Sequence, residues 1–273
     1  MNTIKFIVFC LLLVLMCPGL QAQDAKQFVQ QSVNSELEAD RNDHSHWLFH
    51  EVDRKPGNNV TQWVAQTGKG DVKRVLVRNG QPVPEQQQKQ EVDKFIHDTR
   101  AQAQQRQQGQ QDDQQAERLL KLLPAAFIWT ETSHNGETTT LHFKPDPHFN
   151  PPNREARVFS AMEGDMMVNT TQHRIQSLKG KLIRDVTFGW GLLGRLKQGG
   201  WFDVERQEIG KGIWQITRTQ THIQGRALLF KTISEIEDDE KTSFERLPDD
   251  VSLEQAASVV MAKKDSGVKS GGQ

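Results

Sequence analysis

Gly189-Trp190-Gly191-Leu192-Leu193-Gly194 has the G-x-G-x-x-G spelling of a dinucleotide site, and Glu208 follows about twenty residues on. Such a site needs its third glycine to open the helix of a βαβ unit, with the pyrophosphate on the helix N-terminus. Here Gly199-Gly200 stops any helix within about two turns, and the residues after it alternate as an antiparallel strand does. The segment reads instead as a short apolar turn of helix carrying Trp190, Leu192, Leu193 and Leu196, packed into the concave face of a sheet.

His44, His46 and His50 fall on one side of an extended run, the geometry in which imidazoles converge on a metal. Leu48 stands among them on the same side and no carboxylate supplies a fourth ligand, so no metal is expected. Ser133 and His134 are adjacent in a turn, whereas a triad is a matter of spatial geometry. Asp112-Asp113, Asp238-Asp239-Glu240 and Asp249-Asp250 lie in Gln-rich or turn contexts, where acids are solvated rather than held across a cleft in unlike environments. No G-x-S-x-G, H-E-x-x-H or P-loop spacing occurs. The chain is read as non-enzymatic and without a cofactor. Its aromatic side chains offer an apolar groove instead, with Trp47, Trp201 and Trp214 added to Trp190, Leu192, Leu193 and Leu196 as lining candidates.

These residues depend on the elements that carry them. Met1 to Lys5 is a short positive region, Phe6 to Met16 an apolar stretch, and small Ala22 precedes a cut near Gln23, so residues 1–22 read as an export signal. Cys10 and Cys17 both lie within it, which leaves the mature chain without a thiol for disulfides, metals or catalysis. With 34 basic and 35 acidic residues overall, the mature chain stands near −2, a poor match to nucleic acid. No apolar run beyond the signal reaches the roughly 18 residues that span a bilayer.

Val29, Val33 and Leu37, with Phe28 beside them, form one helical stripe within Asp24 to Asp40. From His46 the period changes to two, giving a three-strand meander to Arg78. Residues 81–118 hold fourteen Gln in thirty-eight positions, and the 81–123 segment reads as a partly solvated helical excursion. After Pro124 the chain returns to strands. Asn135-Gly136 marks a hairpin, residues 144–153 a Pro-rich loop outside any ladder, and Ala156 to Met162 and Arg174 to Phe188 read as single strands. Ser252 with Gln255 opens a last short helix, and 252–273 closes the chain with a flexible tail. Successive strands with short turns argue an α+β protein with an antiparallel sheet.

The N-terminal helix behind a signal, the strand His46 to Val52, the Lys144–Arg154 run, the Val186–Trp201 segment and Gly225-Arg226-Ala227-Leu228-Leu229-Phe230 together resemble the outer-membrane lipoprotein-sorting family of periplasmic carriers, the LolA-like half-barrel, in an exported branch of that superfamily. The resemblance implies one domain over 23–251, a strongly curved antiparallel sheet wrapped around helices, with a concave face that receives acyl chains. It also implies a periplasmic or secreted carrier or sensor of lipid or lipoprotein. The Gln-rich excursion departs from that family and supports a second reading, an envelope interaction module whose helix meets a protein partner while the sheet serves as scaffold.

Overall fold

Period-two runs separated by turn residues become strands in the computed structural model, which describes residues 18–188, 194–227 and 231–264. β1 (His46–Lys55), β2 (Asn58–Ala65), β3 (Val72–Arg78) and the short β4 (Gln81–Pro82) form the N-terminal meander. Gly57, at φ +77°, makes the first of its turns, where a side chain would be strained. β5 (Phe127–His134) and β6 (Thr138–Pro145) close over Asn135-Gly136, and β7 (Met162–Asn169) and β8 (Arg174–Leu182) follow. β9 (Val186–Phe188), β10 (Gly194–Leu196), β11 (Trp201–Gly210), β12 (Ile213–Ala227) and β13 (Lys231–Leu247) complete the set. The strands make one antiparallel sheet in the order β4-β3-β2-β1-β13-β12-β11-β8-β7-β6-β5, with β10 off this path between β12 and β9. Among the described residues the sheet is not closed. The last strand therefore lies beside the first, joining the two meanders through β1 and β13.

Helix α1 (Pro18–Asn42) presents Ala25, Val29 and Val33 to β5 and β8, and α3 (Thr99–Ala126) joins it there. The resulting core holds Trp129, Phe127, Phe143 and Phe159, whose rings meet at 4.6 to 5.8 Å. A second core lies on the other face of the meander. Leu48, Trp63, Val72 and Leu76 pack there against α2 (Glu85–His97) and α4 (Leu253–Ala262). Arg74 ties these helices down. Its Nε donates to Gln88 Oε1 at 2.7 Å and its Nη1 to the carbonyls of Val260 and Lys263, at the C-terminal end of α4. The expected box at Ser252 is present, with Gln255 N donating to Ser252 Oγ and Ser252 N to Gln255 Oε1.

Several boundaries differ from the sequence reading, each for a local reason. Residues 155–161 form a 3₁₀ helix rather than a strand. The Pro-rich loop starts two residues late, because Lys144 and Pro145 still pair with Ile128 and Phe127. The Arg174–Phe188 run splits at residues 183–185, where Ile183 N donates to the Ala161 carbonyl and leaves the ladder. The Gln-rich excursion is two helices, separated where Asp98 accepts from the backbone N–H groups of Arg100 and Ala101. Pro124 does not end α3, whose last turn is instead supported by Trp129 Nε1 donating to the Leu123 carbonyl.

The middle of α3 is held at one place. Gln105 accepts from Asp71 N and donates to its carbonyl, imitating a strand partner, and Arg106 donates to the Lys69 carbonyl. Beyond it, residues 106–116 are exposed. Hydrogen exchange should therefore open the amides of 106–116 well before those of 213–223 in β12. Protection there equal to the central strands would show that this helix is docked.

Candidate functional site

The four described groove candidates occupy separate surroundings. Trp47 is buried with Phe49, Val64 and the half-buried Phe244, and its Nε1 donates to Ser45 Oγ at 2.7 Å. Trp214 is buried with Nε1 on Gln172 Oε1 at 2.7 Å. Leu196 is half-buried against the main core. Trp201 is 41% exposed and stacks on His222, with ring centroids 6.3 Å apart. Strand alternation explains it: Phe202 packs against the core, so Trp201 faces outward. Trp190, Leu192 and Leu193 lie outside the described residues, as does the expected helical turn at 189–193. The end of that expected turn, residues 194–196, is strand β10.

What the structure does assemble is a polar patch on β1, β2 and β13. Glu51 faces Gln62 on one neighbour and Lys241 on the other, while Asp53 stands directly opposite Asp239. Gln62 donates to Glu51, and Lys241 Nζ lies 2.9 Å from Asp239 and 3.6 Å from Glu51. Lys55 bridges Asp53 at 3.1 Å and Glu237 at 2.7 Å. Glu51, Gln62 and Asp239 are buried at 9%, 5% and 7% exposure. Asp53 Oδ1 and Asp239 Oδ1 are buried without a hydrogen-bond partner.

Four acids share two lysines, and that ratio sets the electrostatics. Burial opposes the charge on Lys241, but Asp239 and Glu51 outweigh it and hold the ammonium above the ordinary lysine range. Burial raises the Asp239 carboxyl, with Glu51 and Asp53 adding to it and Lys241 offsetting only part. Asp71 is likewise raised, chiefly by burial. Such a patch can accept hydrogen bonds from a donor-rich ligand. Among the described residues no group of three His, Cys, Asp or Glu is arranged to hold a metal.

The histidines stay apart. His50 packs edge-on against Trp63, and burial lowers its pKa despite Glu240 and Glu51. His142 does meet an acid, Asp165 at 2.8 Å, but that pair lies on β6 and β7, far along the sheet from His46 on β1. The same register row continues across the outer face through Lys179, Asp203, Gln220, Asp238 and Arg54, so the Asp238 acid belongs to a ladder of charges and not to a turn.

No family model, curated protein or solved structure matches this chain. Function therefore rests on its own geometry.

Sequence reading missed one further cluster. Glu36 of α1 accepts from Ile175 N at 2.6 Å, from Arg206 Nη1 at 2.6 Å and from Arg174 Nη2 at 3.0 Å, all under cover. A signal was available, since Glu36 sits three residues after Val33 on the buried stripe. An acid there requires partners, though their positions 138 and 170 residues away are not readable from spacing. This clamp fixes α1 across β8 and β11.

Proposed function

We propose that the chain is an exported, non-enzymatic binding protein, a carrier or sensor of lipid or lipidated protein in the cell envelope, built on a strongly curved half-barrel sheet. One observation supports it above the others. Leu178, Phe202, Ile223 and Leu196, on β8, β11, β12 and β10, are half-buried and continuous with the main core, whereas α1 and α3 pack chiefly over β5 and β8. Glycines give the strip its relief: a Cβ on Gly180 would stand 2.5 Å from the Phe202 ring, and one on Gly225 2.5 Å from the Arg195 carbonyl. A half-covered apolar strip at the margin of a core is where an acyl chain gains contact without displacing the fold. Among the described residues no helix is long and apolar enough to cross a membrane, which suits a chain that handles lipid without being anchored by a helix of this part.

Two measurements test this reading. Intact mass of the exported protein should match a chain that begins at or near Gln23, has lost Cys17 with the signal and carries no acyl group. Native mass spectrometry of protein purified from an envelope should show a bound acyl ligand, and Phe202→Ser should lose it while keeping its circular dichroism. Folded wild type that never copurifies with or takes up an acyl ligand would sink the carrier. The second reading, an envelope interaction module, is favoured by the exposed stretch of α3, and slow exchange at 106–116 in the presence of a partner would support it.

A further inference from the structure

We infer that the ligand of the carrier proposed above, a reading on which this inference rests, is an acyl amphiphile headed by a primary ammonium group, with Asp53 and Asp239 as acceptors for the head. Strand register puts the half-covered apolar strip and these acids on one face. A row without register shift runs Leu178, Val204, Thr219, Asp239 and Asp53 across β8, β11, β12, β13 and β1. The adjoining row on that face runs Phe202, Thr221 and Glu237. Neighbouring strands stand about 4.8 Å apart, so Phe202 and Val204 on β11 lie about 10 Å from the acids of β13, with threonines between them. Val204, Thr219 and Thr221 are half-buried, which leaves this stretch of the face open to solvent.

The acids there are short of donors. Lys241 engages Asp239 Oδ2 and Glu51 Oε1, and Lys55 engages Asp53 Oδ2 and Glu237 Oε1, so each lysine already serves two carboxylates. Asp53 Oδ1 and Asp239 Oδ1 are buried without a partner, although the two residues stand directly opposite and Asp239 is only 7% exposed. Like charges directly opposed weaken an antiparallel pair, and a buried oxygen without a donor weakens it further. A compact cation with N–H donors relieves both. A primary ammonium carries three donors, whereas a quaternary ammonium carries none. A divalent metal does not fit, since among the described residues no group of three His, Cys, Asp or Glu is arranged to hold one. The side chains of Asp53 and Glu237 keep 16% and 24% exposure, so a head reaches the pair from the Lys55 end while its chain lies along Val204 and Phe202.

The test is isothermal titration calorimetry of the purified exported chain, stripped of lipid, at pH 7 with decylamine, decanol and decyltrimethylammonium. Decylamine should bind at least about tenfold tighter than the other two, because hydrogen bonds to charged groups are the strong ones. Asp239→Asn and Asp53→Asn, each with unchanged circular dichroism, should separately lose most of that preference. Asp203→Asn/Asp238→Asn removes acids from the outer face of the neighbouring strands and should keep it. Decanol or decyltrimethylammonium binding as tightly as decylamine would overturn the inference and leave the carrier standing, whereas no binding of any of the three would overturn both. Full preference in the two single variants, or equal loss in the outer-face variant, would also overturn it. Lauroyl lysophosphatidylethanolamine and lysophosphatidylcholine separate the sources of the head. Tighter binding of the former supports an aminophospholipid, and equal binding of the two, with decylamine still preferred, supports a simple long-chain amine.

Discussion

Glu36→Ala is expected to lower the free energy of unfolding by about 3–5 kcal/mol, read from urea denaturation at neutral pH. The loss comes from what remains. Arg174 and Arg206, whose side chains are 10% and 18% exposed, would keep their charges under α1 with no carboxylate to meet them. Ile175 N would lose its acceptor as well. Glu36→Leu combined with Arg174→Met and Arg206→Met removes every member together, and should recover most of the loss because paired charges gain little over well-packed apolar groups. A single variant within about 1 kcal/mol of wild type would show that α1 is not clamped there.

The same cluster gives a pH dependence of definite sign. Burial alone would raise the Glu36 carboxyl, but Arg206 and Arg174 outweigh it and hold the group below its ordinary value of 4.5. A depressed carboxyl contributes stability above its unfolded value and loses it as pH falls through the folded one. The difference between wild type and Glu36→Ala should therefore be constant from neutral pH to about 5 and shrink below about 4.5.

How far the fold could be read in advance depended on the range of the interaction that decides each element. The Asn135-Gly136 hairpin, the Ser252 box and the β1–β3 meander are set within a few residues, and all three are present. Ala156 to Met162 has the short apolar run of a strand, but its neighbours on the sheet are already β6 and β8 around β7, and Ala156 N is turned inward by Asn153 Oδ1. The Gln-rich segment lacks a continuous stripe, and its helix is completed by Gln105 and Arg106 reaching a loop more than thirty residues away.

β13 shows why the candidate patch was hidden. Glu237-Asp238-Asp239-Glu240-Lys241 has the composition of a solvated turn between two short strands. It is instead the middle of one seventeen-residue strand between β1 and β12. Alternation sends Asp239 and Lys241 to the covered side, against Asp53 and Glu51, and Asp238 and Glu240 to the other, against Arg54 and Arg218. Polar residues can fill a central strand only when both neighbours supply complements, and that information lies about 190 residues earlier in the chain.

That arrangement yields opposite expected results for the two ends of one ion pair. Lys241→Met should destabilise by about 3 kcal/mol, since Asp239 and Glu51, at 7% and 9% exposure, would lose the cation they share. Asp239→Asn should be neutral or stabilising by up to about 1 kcal/mol at pH 7, although it deletes the shorter contact. Lys241 keeps Glu51, while the burial and acid crowding that raise the Asp239 carboxyl are relieved. The sign with pH follows. A raised carboxyl makes the fold less stable as pH rises through its folded value, so wild type should gain on Asp239→Asn as pH falls toward the ordinary aspartate value of 3.8. That is the reverse of the Glu36 comparison. Urea midpoints for the two variants at pH 7 and pH 4.5 decide the matter: a destabilised Asp239→Asn equal to Lys241→Met would mean that the pair, and not the excess of acids around it, governs this face.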